Sequence, residues 1–379
     1  MTSFNQHNYQ TRINSKRLLG VFAGFTFLAV GQLTAANRDD RRTDAILPIP
    51  TVTATTVPSN GDGNPYGVAF VPEGFPGGSA ASPGDILVSN FNNSGNLQGT
   101  GTTIVRIPAA GKPPAPASVF FQGPQGLGLT TALGVLREGF VIVGNMPAPQ
   151  GVCSGVQPGF LLLLDRHGNM LAQWTDTLLL NGPWDLALHE DGEKAQLFVA
   201  NVLSGAVTRI DLLVSKSGVF MQRKTQIASG YSHRCDPAAL VVGPTGLVYD
   251  AKEDVLYVAS TEDNAIYAVW DARHTTADHG TGPVIYQDAT HLHGPLGMAQ
   301  APNGDLVVSN SDVINPDPNQ TSELVEFTKS GDFVGELSLD PAPGGSFGLA
   351  FSNRENDVIR LAAVDDNANN ITIWSLRLP

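Results

Sequence analysis

Basic residues are scarce in this chain: 22 Lys and Arg stand against 35 Asp and Glu in 379 residues, a formal charge of −13. A phosphate backbone is held mainly by cationic side chains, so the balance argues against a nucleic-acid partner. Cysteine is nearly missing, at 2 residues, which leaves no set of thiols for a haem or iron–sulfur centre. No GxxxxGK[ST], HExxH or CxxC pattern occurs. A phosphate-cradling loop, a zinc-protease helix and a dithiol redox pair are thereby absent, and no organic cofactor is expected.

Long apolar runs are equally rare. The one candidate, LLGVFAGFTFLAVG over 18–31, follows Arg12, Lys16 and Arg17 and precedes the small residues Thr34, Ala35 and Ala36. That is the layout of a signal peptide over 1–36, cleaved before Asn37, with a linker at 37–45. An uncleaved anchor is the competing reading, but the run is shorter than the roughly 20 residues a spanning helix needs. The expected location is periplasmic or secreted, with no membrane span in the mature chain.

What the sequence has in quantity is glycine (41) and proline (26), the punctuation of short elements joined by turns. They organise an internal repeat. NPYGVAF (64–70), GPQGLGL (123–129), GPWDLAL (182–188), GPTGLVY (243–249), GPLGMAQ (294–300) and GSFGLAF (345–351) are similar starts. Each leads to a strand such as ILVSN (86–90), VIVGN (141–145), LFVAN (197–201), LYVAS (256–260) or LVVSN (306–310), with LAAVD (361–365) a weaker sixth copy. Third and fourth strands follow, at a period of roughly 50 to 60 residues, and four-stranded units at that period predict an all-β, six-bladed propeller over 46–379. The last unit ends at ITIWSLRLP without a fourth strand, whereas ILPIPTVTATTV (46–57) is β-branched and otherwise unassigned. This N-terminal segment is expected to pair with 371–376 as the outer strand of the sixth blade, closing the ring and removing exposed edges.

In such a blade the start of the first strand and the end of the second lie at one face. Asn90, Asn145, Asn201, Ser260, Asn310 and Asp365 are therefore predicted to form a ring there, and Asp185, in place of the usual Gly, adds a carboxylate. Oxygen donors of this kind suit a hard divalent cation, Ca²⁺ first, with Asn90, Asn145, Asn201, Asn310 and Asp365 as ligands. Asn and Asp also end strands for local reasons, by satisfying nearby backbone groups. His233 and His293 lie in loops on the same face and are candidates, beside Asp365 and Asp185, for proton transfer. Cys153, in the long loop of the second unit, and Cys235, before the fourth, should both rise over this face. In an exported chain they are expected to pair as a disulfide.

The GPxG starts followed by VSN or VAN resemble the NHL-repeat propellers and the wider gluconolactonase and senescence-marker lactonase group. The resemblance implies a channel cation, with Asn145, Asn201 and Asn310 at amide positions and Asp365 as acid/base. The chain departs from that pattern where a Glu usually precedes one GP, carrying Asn64, Gln122, Asn181, Val242, His293 and Gly344 near those places. Two functional classes follow. One is a monomeric binding or interaction module that holds a small molecule, carbohydrate or exported protein at the channel mouth. The alternative is a divalent-cation-dependent hydrolase of a lactone or related ester. The Asn ring has an adequate structural explanation, and this tips the sequence reading toward the binding module.

Overall fold

Alternation of side chains along each strand sends successive apolar residues to opposite faces of a sheet, and here both faces are buried. In the second strand of the first blade, Leu87 joins the core shared with blade two, while Ile86 and Val88 join the core shared with blade six. Each of the other junctions is filled the same way. A computed structural model describes residues 50–109, 113–353 and 358–377. The candidate signal peptide and linker lie outside these residues. Among those described, no helix is long and apolar enough to cross a membrane.

The sheets are six four-stranded antiparallel blades arranged as a propeller. Their innermost strands are Gly63–Phe70, Leu129–Leu136, Pro183–Asp191, Pro244–Asp250, Pro295–Gln300 and Ser346–Phe351. Pro50–Thr55 pairs with Asn370–Arg377 and completes the sixth blade, with Ala54 opposite Ile371 and Thr53 opposite Thr372. The ring thus closes through the N-terminal strand, as the unassigned β-branched segment predicts.

One repeat is framed differently from the sequence reading. GPQGLGL does not start the second blade: Gly126 and Gly128 have φ of 77° and 65° and belong to the loop entering it. The strand begins at Leu129, which pairs with Asn145 as Pro65 pairs with Asn90 and Pro295 with Asn310. Thr130 and Thr131 therefore stand where the other blades have an aromatic, Leu or Thr followed by Gly or Asp.

The innermost strands approach one another at the axis through backbone. A Cβ on Gly348 would lie 1.7 Å from the Tyr66 carbonyl oxygen, and one on Gly297 would lie 2.4 Å from that of Phe347. Side-chain hydrogen bonds stitch the junctions. Ser89 Oγ donates to Thr130 O (2.8 Å), Thr130 Oγ1 to Pro183 O (2.7 Å) and Thr261 Oγ1 to Pro295 O (2.7 Å). Ser309 Oγ donates to Phe347 O, and Asn64 N donates to Asn369 Oδ1 (2.6 Å). At the junction of blades three and four, Asp185 replaces Gly, and its Oδ2 accepts from Leu247 N at 2.9 Å.

Removing residues up to 60 should expose the edge of Asn370–Arg377 and lower the melting temperature by about 10 °C or more. Thermal denaturation of the shortened chain measures this, and an unchanged midpoint would contradict the closure.

Candidate functional site

The six predicted ring residues do occupy equivalent register positions, each opposite the start of its own blade's first strand. Their side chains are buried and largely engaged within the blades. Asn145 Nδ2 donates to Leu127 O (2.9 Å) and its Oδ1 accepts from Phe160 N (2.8 Å). Asn201 Oδ1 accepts from Asn181 N (3.0 Å), and its Nδ2 donates to Thr208 Oγ1 (3.2 Å). Asn310 Oδ1 accepts from His293 N (3.0 Å), and Nδ2 donates to Glu323 Oε1 (2.7 Å). Asn90 Nδ2 donates to Thr56 O (3.1 Å). These amides tie the loop entering a blade to its second and third strands. Only Asn90 Oδ1 and Asp365 Oδ1 of the proposed ligand set are buried without a partner. In three of the four amides Oδ1 is thus already turned to a backbone N–H of its own blade, an arrangement that braces the blade rather than holding a shared cation.

The candidate proton-transfer groups are also dispersed. Asp185 is the interblade brace already described, and burial pushes its carboxyl up to about 7. His293 is buried, with Nδ1 facing Asn315 O and Nε2 facing Thr290 O at 3.1 Å, so both ring nitrogens are occupied. His233 is exposed and its Nδ1 lies 3.1 Å from Tyr231 O. Asp365 is buried beside Asp340, and burial followed by that neighbour's charge raises its carboxyl to about 6.

A cavity of about 510 Å³ opens instead at the channel mouth. Its apolar wall comes from the residue after the one paired with the ring Asn or Asp in several innermost strands: Tyr66, Trp184, Leu296 and Phe347. Tyr66 stacks on Phe347 at 4.7 Å between ring centroids and meets Trp184 edge-on at 5.6 Å. Phe91 packs against both Tyr66 and Trp184. Trp184 is 1 % exposed, and its indole N–H has no hydrogen-bond partner; Asn64 Oδ1, also in the wall, has none either.

A hairpin, Arg234–Asp236 with Leu240–Val242, forms another side of the cavity through Ala238, Ala239, Val241 and Val242. Cys153 and Cys235 are bonded, with Cα atoms 5.6 Å apart, and this disulfide ties the hairpin to the long loop of blade two. Gln98 Nε2 holds it from blade one by donating to Ala238 O (2.8 Å). The sequence expectation of a disulfide over this face is met.

The acidic groups in the wall are Asp312, Asp317 and Asp366. Burial, then the neighbouring Asp365 charge, raises Asp366 to about 6. Burial also raises Asp312. The Tyr66 phenol is raised too, first by burial and then by Asp366. Asp366 directly follows the singled-out Asp365, and Asp312 and Asp317 lie in the long SDVINPDPNQTS loop. Sequence reasoning chose Asp365 from the strand pattern, but the next residue, one step past the strand end, reaches the cavity.

A separate group, Asp254, Asp271 and His274, has ligand atoms within 4.8 Å of one another and could chelate a divalent cation. It belongs to the turn joining the first two strands of blade four and the segment after the third, hence to the opposite face. His274 Nδ1 lies 2.8 Å from Asp254 Oδ2, while Asp254 Oδ1 already accepts from Tyr249 OH (2.9 Å) and Arg273 N (2.8 Å). An imidazole among two carboxylates suits Mn²⁺ or Zn²⁺ better than Ca²⁺.

Two measurements test these assignments. Asp185 holds its proton in the folded chain between about pH 4 and 7, where the unfolded chain has released it, so its contribution to stability falls as pH rises through that window. Asp185→Asn keeps an acceptor for Leu247 N and should melt higher than the parent at pH 8, with the gap closing toward pH 4. No gap at pH 8 would contradict the burial of that charge. Saturating Mn²⁺ or Zn²⁺ should raise the melting temperature by about 2–4 °C, and His274→Ala should abolish the shift. A shift that survives the substitution would place the cation elsewhere.

No protein-family model and no curated protein sequence matches this chain. Among solved structures, a gluconolactonase from Xanthomonas campestris is similar, with a TM-score of 0.50 and 15 % identity over 86 % of this chain and 89 % of its own. A catalytically inactive virginiamycin B lyase from Staphylococcus aureus, crystallised with quinupristin, has a TM-score of 0.49 and 14 % identity over 86 % and 88 %. At these identities the likeness is one of fold, and the chain is a six-bladed β-propeller resembling the gluconolactonase group in architecture.

Proposed function

We propose that this chain is an exported, monomeric hydrolase of a small lactone or related ester, and that the channel-mouth cavity is its active site. The observation that carries the reading is the raised carboxyl of Asp366 in the wall of a half-open, largely apolar cavity at the channel mouth. A carboxylate near pH 6 is suited to take a proton from water at neutral pH, where it is ionised yet more basic than an exposed Asp. Asp366 would take a proton from water as the water oxygen attacks the carbonyl carbon, and the protonated carboxyl would return it to the alkoxide released when the acyl C–O bond breaks. The unpartnered Trp184 indole N–H could turn to donate to the developing oxyanion. Tyr66 and Phe347 would hold the apolar part of the substrate.

A cavity of about 510 Å³ is the size for a small molecule, and this size favours the hydrolase over the interaction module for a protein or polysaccharide. The similar scaffold of the Xanthomonas campestris gluconolactonase makes lactones the first substrates to assay. A resident cation, whether Ca²⁺ or another, is assigned no step here, because the ring amides brace their own blades. The disulfide supports export, since such bonds persist in oxidising compartments. NHL-type blades remain our reading of the repeat.

The test is a panel of lactones and esters, uncharged and cationic, at pH 7.5. The parent should turn over at least one member. Asp366→Asn should lower kcat/KM by about 100-fold or more while its melting temperature holds or rises. Parent-like turnover in Asp366→Asn, or no turnover of any member by the parent, would contradict the proposal.

A further inference from the structure

The wall chemistry of the cavity bears on which molecules can enter it. Among the described lining residues there are three carboxylates, Asp312, Asp317 and Asp366, and no Lys, Arg or His. Nearby basic groups are spent. Arg234, on the hairpin that forms one wall, donates Nη1 to Asp236 Oδ2 (2.7 Å) and Nε to Glu262 Oε1 (2.8 Å). His293, behind Asp312, has both ring nitrogens on backbone carbonyls. An anionic ligand would therefore be desolvated beside like charges with nothing to pair it, which disfavours its binding.

The apolar wall points the same way. Tyr66 and Phe347 stack, and Phe347 is the less buried of the two, so its ring borders the open space of the cavity. An aromatic face attracts a cation through its quadrupole, the more so when water is excluded, and quaternary ammonium groups are held by such surfaces. Carboxylates around an aromatic wall add the complementary charge. The mouth also sits on a chain of net charge −13, which raises the local concentration of cations.

We infer that the channel-mouth cavity selects a small organic cation, a substituted or quaternary ammonium compound, held against Phe347 with Asp312 and Asp366 supplying the counter-charge, and that it excludes anions. This inference deepens the proposed function by naming the substrate class, and it rests on the cavity being the working site. It concerns binding, so it stands or falls apart from turnover.

Isothermal titration of the full chain at pH 8 and low salt tests it with three probes of one shape: choline, its uncharged isostere 3,3-dimethyl-1-butanol, and the anion 3,3-dimethylbutanoate. Choline should bind about tenfold or more tighter than the alcohol, and the anion should give no heat. Phe347→Leu, which keeps apolar bulk and removes the ring face, should cut the choline preference by about fivefold. The double substitution Asp312→Asn and Asp366→Asn should reduce it to near parity. Equal binding of choline and the alcohol, measurable binding of the anion, or no binding of choline would each overturn the inference. Hydrolysis of uncharged esters without any preference for choline would sustain the proposed function and sink this one.

Discussion

Backbone-to-backbone packing of six innermost strands around one axis is the constraint on which the rest of the structure depends. At Gly348 and Gly297 no side-chain atom can be accommodated, because the next blade's carbonyl occupies the place of a Cβ. Where the pattern breaks, at Thr130, Thr131 and Asp185, the larger side chains make the crossing bonds themselves. The same packing gathers Tyr66, Trp184, Leu296 and Phe347 at the ring face, since each follows the residue that pairs with its blade's ring Asn or Asp. The aromatic wall of the cavity is thus a by-product of how the ring closes.

Much of this was legible in the sequence, because propeller repeats write their architecture in periodicity. The ring closure could be read from Pro50–Thr55 being β-branched and unclaimed, and the disulfide from two cysteines in loops of one face. The second blade misled because a GPxG match at 123–126 is only a composition signal. The true strand start, Leu129-Thr130-Thr131, carries no glycine and is identifiable only through its pairing with Asn145. The site was less legible still. Repetition singled out Asn90, Asn145, Asn201 and Asn310, yet repetition is what a structural role produces, and their amides brace each blade's own loop. Asp366, Asp312 and Asp317 lie outside the repeated pattern, in segments whose position only the folded chain defines.

Two faces of the molecule carry different chemistry. On one, the disulfide-tied hairpin and the loops of blades one and five enclose an aromatic and acidic cavity. On the other, Asp254, Asp271 and His274 form a compact group able to hold a cation. Separating a cation site from the cavity departs from what the lactonase resemblance implies, where cation and acid/base share the channel. In the proposed function the cavity carboxyls take the place of a channel cation, and burial beside apolar rings raises them above the ordinary carboxylate range.

The central claim is that a small molecule binds where the innermost strands converge at the ring face. A crystal structure of the full chain soaked with δ-valerolactam, an unreactive lactone analogue, tests it most directly. The account predicts density for the lactam against Phe347 and Trp184, within hydrogen-bond reach of Asp366. Density only on the opposite face, or a cavity filled by the protein's own side chains, would contradict it.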